Sequence, residues 1–297
     1  MVTPGASAAS RPEPFTGQPP RLPSGAKLPR VIAVDIDGTL LGPEKVVTAR
    51  TRAAIDAVRS LGAHVVVATG RPLRTALPVA EQIAATSTIV AYNGAAIWHA
   101  QRFQLLRALD LGVAQAAVER LRAAAPGATL ALETSRGWYL DAELPAGDPG
   151  NAAHLFRGGP PVAIGPLEGF MDGGPIKLLA VYDDAHPSAL AESLNDLELY
   201  TTWSLPFLLE VHHPLVNKGA ALAHLCEEWQ VEPSEVAAFG DQHNDSAMLA
   251  WAGLGVAMGN SEPEALAAAD LVTASNLEDG VALVLESWVR ASAEAAV

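Results

Sequence analysis

The sequence predicts an α/β fold, a Rossmann-like parallel sheet that carries an inserted α+β domain. Three observations predict it. Short apolar, β-branched runs alternate with capped helical segments near both ends of the chain. That rhythm breaks between residues 97 and 208, where polar strand-like runs and a Gly- and Pro-rich loop take over. Acidic, hydroxyl and basic residues recur just after the apolar runs, at the carboxyl ends of strands where open parallel sheets bind ligands.

Taken in order, Val31-Ile32-Ala33-Val34 is a buried strand. Thr48 caps a helix over 49–61, which Gly62 stops. Residues 64–68 form a second buried strand, Pro72 suits the first turn of a helix, and 89–92 form a third strand. Inside the insert, 113–124 is helical, while 129–133, 138–140 and 177–182 are strand-like and 145–166 is loop. Lys218 then opens a helix to about residue 229, followed by strand 236–239, helix 246–252 and strand 254–257. Ser261-Glu262-Pro263-Glu264 reads as a capping box with proline in the first turn of another helix. A short strand over 271–273 and a closing helix over 280–295 complete the chain. The expected domains are a Pro-rich disordered tail over 1–28, a core over 29–96 and 209–297, and an insert over 97–208.

Composition narrows the possible partners. The 297 residues include 19 Lys plus Arg and 33 Asp plus Glu, a net charge of −14. That balance argues against nucleic acid or an anionic membrane surface, which basic patches recognise. Apolar residues make up 49%, enough for a core without disulfides or a structural metal. No apolar run is long enough to span a bilayer. The single Cys226 cannot form an internal disulfide and fits a reducing cytoplasm.

Chemistry concentrates at Asp35-Ile36-Asp37-Gly38-Thr39, at the end of the first strand. Residues i and i+2 of an extended chain share a side, so both carboxylates can face one site. Gly38 allows a sharp turn and a close backbone approach. Read alone, the segment is also a capped turn. Thr69-Gly70-Arg71 follows the second strand, Asp241, Asn244 and Asp245 follow strand 236–239, and Lys218 starts the preceding helix. Singly these are a helix cap, turn residues and a solvated helix end; the fold gathers them at one sheet edge. Asp35 and Asp241 are hard oxygen donors that suit Mg²⁺. Thr69 and Lys218 suit phosphate oxygens, and a carboxylate can attack phosphorus.

The order DIDGTLL (35–41), ATGRP (68–72), YNGA (92–95), NKGAAL (217–222), GDQHNDSAML (240–249), GVAMGN (255–260) and EDGVA (278–282) closely resembles the haloacid dehalogenase superfamily, most of all its Cof-type branch, subclass IIB. The resemblance spans about residues 29–285. It implies a Rossmann-like core with the insert as a mobile cap. Asp35 would be the nucleophile. Asp37 would be the acid and then the base, which favours a phosphatase or phosphomutase. Mg²⁺ would be held by Asp35, the Asp37 backbone carbonyl and Asp241, with Asp245 ligating directly or through water. Thr69, Gly70, Lys218 and Asn244 would bind phosphate, and Arg71 and Asn93 would lie at the mouth near the cap. The expected protein is a cytoplasmic, Mg²⁺-dependent phosphatase of small phosphorylated metabolites, such as sugar phosphates or related monoesters. The alternatives are a phosphomutase of the same fold and a non-catalytic phosphometabolite-binding protein. The sequence does not indicate the oligomeric state.

Other residues invite less. His212 and His213 point to opposite faces of a strand and do not pair as metal ligands. His243 lies in the acidic loop, where it can touch substrate but otherwise reads as a variable loop position. Cys226 reads as packed. Arg136, Trp138 and Tyr139 read as cap surface and core rather than pocket lining.

Overall fold

Strand β1 (Val31–Val34) of the computed structural model is buried along its whole length, as a short β-branched run between sheet neighbours must be. The structure describes residues 15, 17, 28–144, 150–184 and 186–295. Apart from residues 15, 17 and 28, the tail expected over 1–28 lies outside them.

Helix α1 (Ala49–Ser60) starts where Thr48 accepts a hydrogen bond from the Thr51 N–H, and buries Thr51, Ala54, Ile55 and Val58. Strand β2 (His64–Ala68) follows. Pro72 is the N-cap of α2 (Leu73–Gln82) rather than a first-turn residue. Next come β3 (Thr88–Ala91), β4 (Ala96–His99) and β5 (Arg102–Leu105). Asp110 caps α3 (Leu111–Ala124). Then follow β6 (Thr129–Thr134), β7 (Gly137–Leu140), β8 (Ala163–Ile164), β9 (Pro175–Val181), α4 (Pro187–Glu192), β10 (Tyr200–Leu205) and β11 (Leu208–His212). The last stretch holds α5 (Lys218–Glu228), β12 (Val236–Gly240), α6 (Ser246–Trp251), β13 (Leu254–Ala257), α7 (Pro263–Ala268), β14 (Leu271–Val272) and α8 (Gly280–Ala295).

These elements divide into two compact units. The described residues up to Val67 join those from Leu222 onward, and Ala68–Ala221 forms the other. In the first unit, parallel strands run in the order β14-β13-β12-β1-β2. Val31 stands opposite both Val236 and His64. Helices α1 and α8 pack together, and Arg50 donates two hydrogen bonds of 2.8 Å to Glu286. Trp288 of α8 is buried against Phe239 of β12.

In the second unit, β3, β4 and β5 form an antiparallel meander. A separate six-stranded sheet has the order β10-β11-β9-β6-β7-β8. One face, with Leu130, Leu132, Leu178, Ala180, Leu209 and Val211, packs under α3. The other carries Ala131, Leu179, Val181 and Leu208 around Trp138. Alternation along the strands puts Glu133, Lys177, Glu210 and His212 on that second face, and all four are buried.

Other local expectations change. Strands β4, β5 and β10 and helix α4 were not legible, being short or polar (YTTWSL in β10), and β8 forms inside the stretch expected as loop. The capping box expected at Ser261 does not form: Glu262 is the N-cap of α7 and makes no side-chain cap bond there. Its carboxylate accepts from the His243 N–H at 3.0 Å instead, so a loop contact replaces the cap. Among the described residues no helix is long and apolar enough to cross a membrane.

Candidate active site

In the first unit, the site grows out of the ends of β1 and β12. The Asp35 N–H donates to the Phe239 carbonyl at 3.0 Å, which carries the sheet register one residue past β1. Leu40 and Leu41 N–H groups then bond back to the carbonyls of Asp35 and Ile36, closing a tight turn with Gly38 at φ +90°. A Cβ at Gly38 would stand 2.0 Å from Asp241 Oδ2, so only glycine permits this approach.

Asp241 follows β12. Its Oδ1 accepts from the Thr39 hydroxyl at 2.7 Å and its Oδ2 from Asn260 Nδ2 at 3.4 Å. Asp245 Oδ2 accepts from the Asp241 and Gln242 N–H groups at 2.9 and 3.0 Å, which fixes the turn. Asp35, Asp241 and Asp245 are all buried, and each offers a carboxylate oxygen within 4.8 Å of the others. Buried carboxylates this close repel one another, and a cation between them would offset that repulsion. An all-oxygen donor set of this kind fits a hard divalent cation such as Mg²⁺. The Asp37 carboxylate is partly exposed and pairs with Lys45 Nζ at 3.1 Å. Asn244 is half-buried in the 243–245 turn.

In the second unit, the buried Thr69 starts a turn whose backbone is tightly tied. The Thr69 N–H donates to Val90 O, its carbonyl accepts from Asn93 N–H, and the Arg71 carbonyl accepts from Tyr92 N–H. The Arg71 N–H donates to Thr69 Oγ1 at 3.1 Å, and the Gly70 carbonyl accepts from Lys177 Nζ at 3.1 Å. Among the described residues, the Gly70 N–H has no intramolecular partner. Asn93 sits in a left-handed turn with Tyr92 and Gly94. A Cβ at Gly94 would lie 2.3 Å from the Asn217 carbonyl, so this glycine brings the turn against the start of α5. Asn217 Oδ1 caps that helix through the Ala220 N–H at 2.6 Å, and Lys218 beside it is buried. Arg71 is half-buried, with Nη1 3.4 Å from the Thr75 carbonyl.

Of the residues named from sequence, Asp35, Asp37, Asp241, Asn244 and Asp245 lie in the first unit. There Asp35, Asp241 and Asp245 come together. Thr69, Gly70, Arg71, Asn93 and Lys218 lie in the second unit, where the first four form one bonded turn. Sequence reasoning missed what lies under that turn. Lys177 Nζ is 3.1 Å from Glu210 Oε2. Asn93 Nδ2 is 3.5 Å from the same oxygen and 3.3 Å from His212 Nε2. Burial pushes the Glu210 carboxyl up, but Lys177 and His212 outweigh it and hold it down at about 2. Burial, with Lys177 nearby, lowers the His212 pKa and favours its neutral form. The available signal was a Lys and a Glu inside otherwise apolar strands, PIKLLAV and LLEVH.

The set-aside residues also have places. His212 is buried and His213 partly exposed. The Cys226 thiol is buried and pushed up to about 11, far from a reactive thiolate. Trp138 and Tyr139 are core residues, and Arg136 pairs with Asp172 at the surface. His243 Nδ1 lies 3.3 Å from Glu262.

Comparison with known proteins gives the family of the chain. The family pattern for haloacid dehalogenase-like hydrolases matches residues 32–285. The chain is 33% identical over 261 residues to the Bacillus subtilis 5-amino-6-(5-phospho-D-ribitylamino)uracil phosphatase YcsE, covering 88% of this chain and 96% of that one. It is 32% identical over 243 residues to the HMP-PP phosphatase of Cronobacter sakazakii, covering 80% and 87%. A solved haloacid dehalogenase-like hydrolase from Bacteroides thetaiotaomicron superposes with a TM-score of 0.72 at 27% identity, covering 86% of this chain and 98% of the other.

Proposed function

The chain belongs to the haloacid dehalogenase-like hydrolases and is a phosphatase; on that premise we propose that it uses Mg²⁺ and an aspartyl phosphate to hydrolyse small phosphorylated metabolites. The observation that carries this reading is the buried group Asp35, Asp241 and Asp245, with a further acid, Asp37, two residues after the first.

In the proposed reaction, an Asp35 oxygen attacks phosphorus, forming the acyl phosphate as the ester P–O bond breaks. Asp37 gives its proton to the departing oxygen. It then takes a proton from water, whose oxygen attacks the phosphorus and frees Asp35 and orthophosphate. Mg²⁺, held by Asp35, the Asp37 carbonyl, Asp241 and, directly or through water, Asp245, would offset the charge of the phosphoryl oxygens. The Thr69 hydroxyl, the Gly70 N–H, the Lys218 ammonium and the Asn244 amide bind phosphate, and Arg71 and Asn93 belong to the substrate mouth. Residues 97–208 act as the cap on a core of 29–96 and 209–297, and the enzyme works in the cytoplasm.

The substrate is a phosphomonoester on a small polyhydroxylated or related metabolite. The phosphoribityl compound in the name of the Bacillus subtilis relative supports that class. The test is orthophosphate release from a panel of sugar, nucleotide and cofactor phosphates, with Mg²⁺ and with EDTA. Release that EDTA abolishes, with one substrate class preferred by roughly tenfold or more, bears the proposal out. No release from any substrate contradicts it.

A further inference from the structure

We infer that Lys177 and Glu210 are a positioning pair that sets the Thr69-Gly70-Arg71 turn to receive phosphate. The inference rests on the phosphatase reading above, and every group in it lies within Ala68–Ala221.

The peptide unit that joins Gly70 to Arg71 is held at both ends. Its carbonyl accepts from Lys177 Nζ at 3.1 Å, and its N–H donates to Thr69 Oγ1 at 3.1 Å. A peptide is planar, so fixing both groups fixes its rotation. The consequence falls on two neighbouring donors. A hydroxyl that accepts from the Arg71 N–H keeps its own hydrogen to donate elsewhere. The preceding Gly70 N–H has no intramolecular partner among the described residues. Two donors on consecutive residues, held in fixed directions, are what an anionic oxygen requires.

Glycine would let this peptide rotate if the carbonyl lost its partner. Lys177 prevents that by holding the carbonyl, and Glu210 in turn holds Lys177 in place. Lys177 is 2% exposed, and Glu210 Oε2 lies 3.1 Å away. Glu210 also reaches Asn93, whose backbone N–H donates to the Thr69 carbonyl. The pair therefore braces the turn at Gly70 directly and at Thr69 through Asn93. Neither side chain is assigned a contact with substrate.

The experiment compares wild type, Lys177→Met and the double variant Lys177→Met/Glu210→Gln. It measures the Kd of orthophosphate by calorimetry in Mg²⁺, KM and kcat on the best phosphomonoester, the Mg²⁺ half-saturation, and thermal unfolding. Lys177→Met is expected to weaken orthophosphate roughly tenfold and raise KM in parallel, through loss of oriented charge-assisted donors. Its Mg²⁺ half-saturation should hold, because none of the proposed Mg²⁺ ligands belongs to the braced turn. It should also lose stability, because the buried Glu210 loses its lysine cation. The double variant removes the Glu210 charge as well and should regain most of the stability but not the phosphate affinity. A role in stability alone predicts that both return together, and that result overturns the proposal. So does a folded Lys177→Met with wild-type affinity, or a double variant that cannot fold. Should the single variant fail to fold, the double variant decides. Failure of wild type to turn over any ester, with orthophosphate still bound in this pattern, overturns the reaction and not the pair.

Discussion

At Gly38 a hydrogen in place of a side chain decides whether Asp241 can stand where it does. The turn there has φ +90°, and a Cβ would reach to 2.0 Å from Asp241 Oδ2. Gly38→Ala therefore displaces a carboxylate of the buried acidic group. We expect kcat/KM to fall by roughly a hundredfold, with weaker Mg²⁺ activation, since displacements near 1 Å cost about that much. A Mg²⁺ titration of the steady-state rate checks this, and an unchanged titration contradicts it. Two other residues set a pH dependence. Glu210 is held down at about 2 against about 4.3 in the unfolded chain, so its contribution is complete above that value and is lost as pH falls toward 2. The His212 pKa is also lowered, so its contribution is complete above about pH 6.5 and declines on acidification from there. Unfolding midpoints measured from pH 7 down to 5 should therefore fall, and His212→Asn should flatten that slope. A slope identical to wild type contradicts the assignment. At this scale the acidic residues were legible because strand ends and turn glycines announce them. Lys177 and Glu210 were not, because their meaning lies in partners 107 and 117 residues away in sequence.

At the scale of elements, caps and strand patterns decide what can be read ahead. Thr48 caps α1 through the Thr51 N–H, and its hydroxyl lies 2.6 Å from Asp279 Oδ1. Thr48→Ala should cost about 1 kcal/mol of stability. The unfolding midpoint should drop by a few degrees with KM unchanged, and an altered KM would tie the cap to the site. The strands of the parallel sheet were legible as apolar runs because both of their faces are buried. Strand β10 has a polar pattern and pairs only with β11 at a sheet edge, so periodicity alone did not reveal it. The capping box at Ser261 failed for a related reason. Glu262 finds a better partner in the His243 backbone, and a tertiary contact overrides the local motif.

At the scale of the molecule, the chemistry is assembled from separate stretches of one acidic chain. Asp35 and Asp241 lie more than 200 residues apart, yet adjacent parallel strands deliver them to one buried group with Asp245. That convergence was legible because strand–helix alternation fixes which strand ends meet. The brace beneath Thr69 was less legible, since it is built from strands of a second sheet whose order no local pattern specifies. The central claim is that Asp35 carries the phosphoryl group. Enzyme mixed with a turned-over phosphomonoester and Mg²⁺ is quenched in acid, and its peptides are read by mass spectrometry. A phosphoryl group on the peptide containing Asp35, absent from Asp35→Asn and from EDTA-treated enzyme, is the predicted result. Full turnover by Asp35→Asn, or the phosphoryl group on another residue, contradicts the account.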